Sequence, residues 1–116
     1  MNRQDFDAIV VNVVSQTAEL LIKKGNEYAN DYDRLINFKR NADRLGASPL
    51  QVWAIYAFKH IDSIESYIKR LERARSMAQL DTQLSEPIEG RFLDSINYLI
   101  LGIALIKELR DAEKTA

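Results

Sequence analysis

Residues 88–109 read IEGRFLDSINYLILGIALIKEL, and the interpretation of this run decides the fold. Phe92, Ile96, Leu99, Ile103 and Ile106 recur at helical spacing, which predicts a long helix. Glu86, Pro87 and Glu89 mark its start, with acids in the first turn where the helix dipole favours them. Leu93, Ile100 and Leu101 widen the apolar stripe beyond what one core face needs, so a second apolar contact is expected, most simply in a homodimer. Four polar groups interrupt the run. Arg91, Asp94 and Asn97 stand at i, i+3 and i+6, with Tyr98 one step round. Burying such groups costs roughly 1–3 kcal/mol each unless they find partners. A packing helix has no use for a cation, a carboxylate, a carboxamide and a phenol on one stripe, whereas a pocket does. Gly102, one turn beyond Tyr98, permits close approach of another helix.

Three further helices precede it. Ser48 as N-cap, Pro49 at the first helical position and Gln51 completing a capping box start one that runs towards Met77. Its expected buried seam is Leu50, Trp53, Ala57, Ile61, Ile64, Ile68 and Leu71, and its charged end, Lys69 to Arg75, projects into water. The first helix is expected from Asp5 to Lys24, with Phe6, Ile9, Val10, Val13, Val14, Thr17, Leu20 and Leu21 at helical spacing and Gly25 ending it. A loop over Asn26 to Tyr32 leads to a short helix, Asp33 to Leu45, stopped by Gly46. Its apolar face is Leu35, Phe38, Ala42 and Leu45. Residues 78–86 form a connector. The expected fold is all-α: a compact four-helix bundle, one domain over residues 1–116.

The 116 residues are 47% hydrophobic and 28% charged, which describes a folded domain and not a disordered chain. A formal net charge of −1 offers no broad basic surface, so no nucleic acid duplex is expected as a partner. The absence of cysteine removes disulfides, thiol nucleophiles and Cys-ligated zinc. The first residues, Met1-Asn2-Arg3-Gln4-Asp5, lack the plan of a signal peptide, and no apolar run approaches the ~18–20 residues of a membrane helix. Cytoplasmic residence without a membrane partner is the expectation.

Three polar clusters are candidates for a site. The first is Lys24-Gly25-x-Glu27-Tyr28 with Asp31, Asp33 and Asn37-Phe38. It reads either as a helix end and loop, or as a loop whose Glu27 and Asp31 face a ligand with Tyr28 or Phe38 as a stacking surface. The second is Lys59-His60-x-Asp62, containing the only histidine. It reads as a packing histidine beside a surface ion pair, or as Lys59 and His60 on phosphate with Asp62 orienting one of them. The third is the Arg91–Tyr98 stripe, a structural network with Arg91 paired to Asp94, or a recognition surface. There, Arg91 offers a planar fork to phosphate and Asn97 a carboxamide to a base edge. Glu27, Asp31, Asp62 and Asp94 are carboxylates that could serve a Mg²⁺ ion, with Glu27, Asp62 and Asp94 the expected set.

The order Lys24-Gly25-x-Glu27-Tyr28, Asp31, Asn37-Phe38, Lys59-His60, then Gly90-Arg91-x-x-Asp94-x-x-Asn97-Tyr98 resembles the nucleotide modification associated domain, a family of small phage and prophage proteins. It is also similar in helical layout to MazG-like nucleotide pyrophosphohydrolases. The resemblance covers Lys24 to about Ile106. It implies an all-α, MazG-like, oligomeric protein that handles nucleotides in the cytoplasm of a bacterial host. Carried over by position, it points to Glu27, Tyr28, Asp31, Asn37, Lys59, His60, Asp62, Arg91, Asp94, Asn97 and Tyr98. The chain departs from the MazG-like hydrolases in their carboxylates: their Glu-Glu-x-x-Glu is absent, and their later Glu-x-x-Asp reads Asp94-x-x-Asn97. Two-metal hydrolysis needs that negative charge.

Three functions follow as expectations. The first is a phage-type protein that binds or sequesters a nucleotide or cyclic-nucleotide-like ligand, such as an immune signal, without robust catalysis. In that anti-defence role Lys59, His60 and Arg91 hold phosphates, Asp94 orients Arg91, Asn97 reads a base or ribose, and Tyr28 or Tyr98 stacks. The second is a Mg²⁺-dependent nucleoside triphosphate pyrophosphohydrolase with Glu27, Asp62 and Asp94 as ligands. The third is a non-catalytic helical module that binds other proteins.

Overall fold

The capping chemistry of the sequence sets the helix boundaries of the computed structural model, which describes residues 1–115. Five helices follow in order: α1 Arg3–Tyr28, α2 Ile36–Leu45, α3 Pro49–Leu71, α4 Met77–Asp81 and α5 Ile88–Thr115. Asn2 opens α1 by accepting the Asp5 N–H at 2.8 Å. Ser48 accepts from the Gln51 N–H at 3.2 Å while the Gln51 side chain accepts the Ser48 N–H at 2.8 Å, so the predicted capping box is formed. Gly46 adopts a left-handed φ of 63° and ends α2.

Three boundaries differ from expectation. Gly25 does not end α1, which runs a further turn to Tyr28 and closes with the Ala29 N–H on the Gly25 carbonyl at 3.0 Å. The Arg34 guanidinium lies across Gly25, in the space a Cβ would fill, so this glycine serves a close approach inside the helix. Helix α2 starts at Ile36 and not at Asp33, because Asp33 is committed to the turn before it. Asn30 Oδ1 accepts the N–H groups of Tyr32 and Asp33 at 2.9 and 2.7 Å, and Asp33 Oδ1 accepts that of Leu35 at 2.9 Å. Finally, α3 stops at Leu71, and the expected connector contains α4. Ser76 caps α4 by accepting the Gln79 N–H at 3.1 Å, Leu80 is buried, and the Tyr67 hydroxyl donates to Asp81 at 3.0 Å.

Helices α3 and α5 form the principal pair, with α2 packed on α3 and α1 on α5. The core lies where α2, α3 and α5 meet: Leu35, Phe38, Ala42, Val52 and Leu105. Fully burying each large aliphatic side chain there contributes about 1.5–3 kcal/mol. A Cβ on Gly102 would sit 2.6 Å from the Trp53 ring, and the Trp53 indole N–H donates to the Tyr98 carbonyl at 2.6 Å. The close approach predicted from Gly102 is therefore between α5 and Trp53 of α3. Lys39 bridges Asp33 at 2.7 Å and Glu108 at 2.5 Å, tying the start of α2 to α5. Hydrogen bonding to Lys39 lowers the Asp33 pKa, and Asp33, then Glu108, raise that of Lys39.

The expectation of a compact four-helix bundle is corrected on two counts. The helices number five among the described residues, and the molecule is elongated, 56 × 34 × 24 Å with a radius of gyration of 17.3 Å. A compact domain of this length has about 13 Å. Two helix ends stand clear of the core: α1, whose Phe6, Ile9, Val10 and Val14 are exposed while Thr17 is buried, and α5, exposed from Ile106 to Thr115. In α5 most of the expected core stripe lies outside, Ile96 alone of its five residues being half-buried. The apolar stripe Phe92, Leu99, Ile103 and Ile106 faces outward, and Ser95, Asn97 and Gly102 face in. In α3, Ile61 and Ile68 of the expected seam are exposed, as is Leu45 in α2. No helix among the described residues is long and apolar enough to cross a membrane.

Candidate functional site

Turning the polar side of α5 inward builds a cleft. Asp94, Asn97 and Tyr98 project from α5, and Tyr56, Lys59 and His60 face them from α3. The last turns of α1 add Lys24 and Tyr28, and the α1–α2 connection adds Asp33, Arg34, Asn37 and Phe38. The cleft, open on one side, has a volume of about 830 Å³, within the range of small-molecule sites. Tyr28, Asn37, Lys59, His60, Asp94, Asn97 and Tyr98, drawn from three separate sequence clusters, thus line one hollow.

Its floor is aromatic with a polar seam. The Tyr98 ring stands 4.9 Å from His60 at 34°, 6.3 Å from Tyr56 at 32°, and 6.4 Å from Phe38 edge-on. Asn97 is only 5% exposed, and its Oδ1 has no hydrogen-bond partner. The buried Nδ1 of His60 has none either, standing 3.8 Å from an Asp94 oxygen. Each orphaned group costs about 1–3 kcal/mol; both atoms are shielded from solvent, so a ligand that pairs with them does so with a turn of the side chain.

Charge is distributed unevenly. Asp94 is paired with Lys24 at 3.1 Å, and Asp33 and Glu108 are both held by Lys39. The acids of the cleft are therefore compensated. Lys59 has no ion pair among the described residues, and Arg34 has a 3.8 Å contact with the solvent-exposed Asp31. Arg34 also donates to Asn26 Oδ1 at 3.4 Å, a neutral partner, so the charge of neither cation is closely compensated. Burial lowers the His60 pKa, Asp94 opposes the shift, and Lys24, Lys59 and Arg91 reinforce it, so the ring is neutral near pH 7. In that form His60 is a neutral hydrogen-bonding group with one N–H to donate and one ring nitrogen to accept. Burial, then Asp94 and the phenols of Tyr56 and Tyr28, raises the Tyr98 pKa, so its hydroxyl stays protonated.

Four predicted residues lie outside the cleft. Arg91 reaches back to Glu86 at 3.0 Å and does not pair with Asp94, whose cation is Lys24. Glu27 and Asp31 are exposed and do not line the cavity. Asp62 lies two residues past His60, about 200° round the helix, and borders a separate hollow with Glu65, Lys69 and Arg70. Glu27, Asp62 and Asp94 are thus not brought together, and no group of three or more metal-ligating His, Asp or Glu side chains forms among the described residues. The donor set does not fit a magnesium centre.

Sequence reasoning missed several wall residues. Lys24 stands inside the first motif, but its position near a helix end offered a sufficient dipole explanation. Tyr56 precedes His60 by one helical turn, a spacing that marks it as facing the same way. Arg34 carries no sequence signal, since its place depends on the bare backbone at Gly25. Comparisons of the chain with protein families, with characterised proteins and with solved structures returned no match.

Proposed function

We propose that the cleft binds a small phosphorylated molecule with a planar ring, a nucleotide or cyclic nucleotide, and holds it without cleaving it. The observation that carries this reading is the carboxamide of Asn97, almost wholly buried beside the Tyr98 and His60 rings with an acceptor left unpaired. A nucleobase supplies both a π face for the rings and an edge N–H for that oxygen. Lys59 and Arg34 at the rim suit its phosphate, an anion for which the inner, compensated part of the cleft has no use. The scattered carboxylates favour holding over hydrolysis, because phosphoanhydride cleavage of the MazG-like kind needs converging acids. The motif resemblance adds a context to this chemistry, sequestration of a nucleotide signal by a phage-type protein.

The test is calorimetric titration with ATP, GTP, CTP, UTP, cyclic AMP and a cyclic dinucleotide, with inorganic phosphate as the control. At least one nucleotide should bind at micromolar concentration where phosphate alone does not. Asn97→Leu should weaken binding at least tenfold while leaving unfolding stability equal to wild type or higher, since an orphaned polar group has been removed. Lys59→Ala should weaken binding with a reduced dependence on salt. Absence of binding by every nucleotide at millimolar concentration overturns the proposal, as does release of pyrophosphate at enzymatic rates with Mg²⁺.

A further inference from the structure

The chain exposes more surface than a folded protein of its size should. Its accessible area is 8860 Å² for 13.3 kDa, where a compact monomer of that mass exposes about 6,500 Å². The excess is on the order of 2,400 Å², the area per subunit of a large obligate interface and well above the roughly 800 Å² of a standard one.

Most of the exposed large hydrophobic side chains lie on α1 and α5, with a smaller set on α3 at Ile55, Phe58, Ile61 and Ile68. Along α1, Val11, Val14 and Ile22 are each more than 60% exposed, and no charged residue occurs between Asp7 and Glu19. Along α5, Leu99 and Ile103 are 55% and 70% exposed, and no charged residue occurs between Asp94 and Lys107. The first half of α1 has no buried residue before Thr17. Val10, Val11, Val13 and Val14 make it a poor helix former, and an isolated helix of that length is marginal in water. Something must cover it for the helix to persist. Between Asp7 and Glu19 the polar residues are Asn12, Ser15, Gln16 and Thr17, none of them a cation of the kind that lines a membrane-surface helix, with Arg3 and Lys23 outside that stretch. A second copy of the chain offers what each face lacks: an uncharged apolar ridge for one and an uncharged apolar stripe for the other. A two-fold axis satisfies both at once.

We propose that these faces form an interface between two copies of the chain, the α1 arm of each lying on the outer stripe of α5 of the other. The interface reaches the cleft, because Ile22 and Ile100 line the cavity as well as the exposed face. It does not depend on the identity of any ligand.

Sedimentation velocity of the whole chain tests it. Wild type should sediment at twice the chain mass at micromolar concentration. Val14→Asp and Ile103→Asp should each weaken association at least a hundredfold. Val14 is 62% exposed, so that variant should keep the helix content of the rest of the fold by circular dichroism. The natural chain has no cysteine, so mixing Val14→Cys with Ile103→Cys under mild oxidation should give a disulfide-linked heterodimer that a Val14→Cys and Glu72→Cys mixture does not. A wild-type chain that sediments as a single copy throughout overturns the proposal. So does a dimer that survives both aspartate variants, or a single copy that floats with phosphatidylcholine vesicles.

Discussion

The two sides of α5 make opposite use of the same helix. The inner side buries Asn97 and holds Asp94 and Tyr98 against α3, while the outer side leaves Phe92, Leu99 and Ile103 to solvent. Hydrophobic burial alone would turn the helix over. The inner side wins because its polar groups alternate with Leu101, Leu105 and the bare backbone of Gly102, against which Trp53 packs. Close approach of the backbones adds dispersion contacts that a stripe of bulky isoleucines would hold apart. The comparison teaches that periodicity identifies which residues can be buried, but shape decides which are buried within one chain and which wait for another surface.

Neighbouring residues on these two sides give the sharpest contrast. Leu105 is 2% exposed and Ile106 37%. Leu105→Ala should cost about 2–5 kcal/mol in urea unfolding, independent of protein concentration. Any cost of Ile106→Ala should instead grow with concentration, as expected for a side chain buried between copies. Equal, concentration-independent losses would erase the distinction. Gly102→Ala comes next: with the Trp53 ring 2.6 Å from the new Cβ, a loss of about 1–3 kcal/mol is expected. A neutral result would mean that the indole gives way and that close approach does not choose the buried side.

The smallest effect is that of pH. Burial holds the folded-state pKa of His60 below its ordinary 6.5. The unfolded chain therefore binds this proton more readily. The stabilisation from a neutral His60 is complete above pH 6.5 and is lost as pH falls through the folded-state value. Melting temperature should decline on mild acidification, and His60→Gln should flatten that part of the profile.

Local chemistry was the most legible part of the sequence. Ser48, Pro49 and Gln51 act within one turn, and Gly46 needs only its own left-handed backbone, so both features follow from adjacent residues. The all-helical class follows from apolar spacing in the same way. Much of the site was also legible, since Lys59, His60, Asp94, Asn97 and Tyr98 conflict with apolar patterning and do meet in the cleft. What eluded sequence reasoning depends on partners distant along the chain. Gly25 looks like a terminator until Arg34 is seen to lie across it. Arg91 looks like the partner of Asp94 until Lys24 arrives from α1. Asp62 sits beside His60 in sequence, yet helical rotation carries it to another face.

The bond from the Trp53 indole to the Tyr98 carbonyl has a practical consequence. Trp53 is the chain's only tryptophan, so ultraviolet emission excited at the red edge comes from a single fluorophore. That fluorophore is anchored to the residue whose phenol forms the cleft floor. Displacement of α3 relative to α5 upon ligand uptake would alter its colour or brightness, giving the molecule an intrinsic optical gauge that requires no dye.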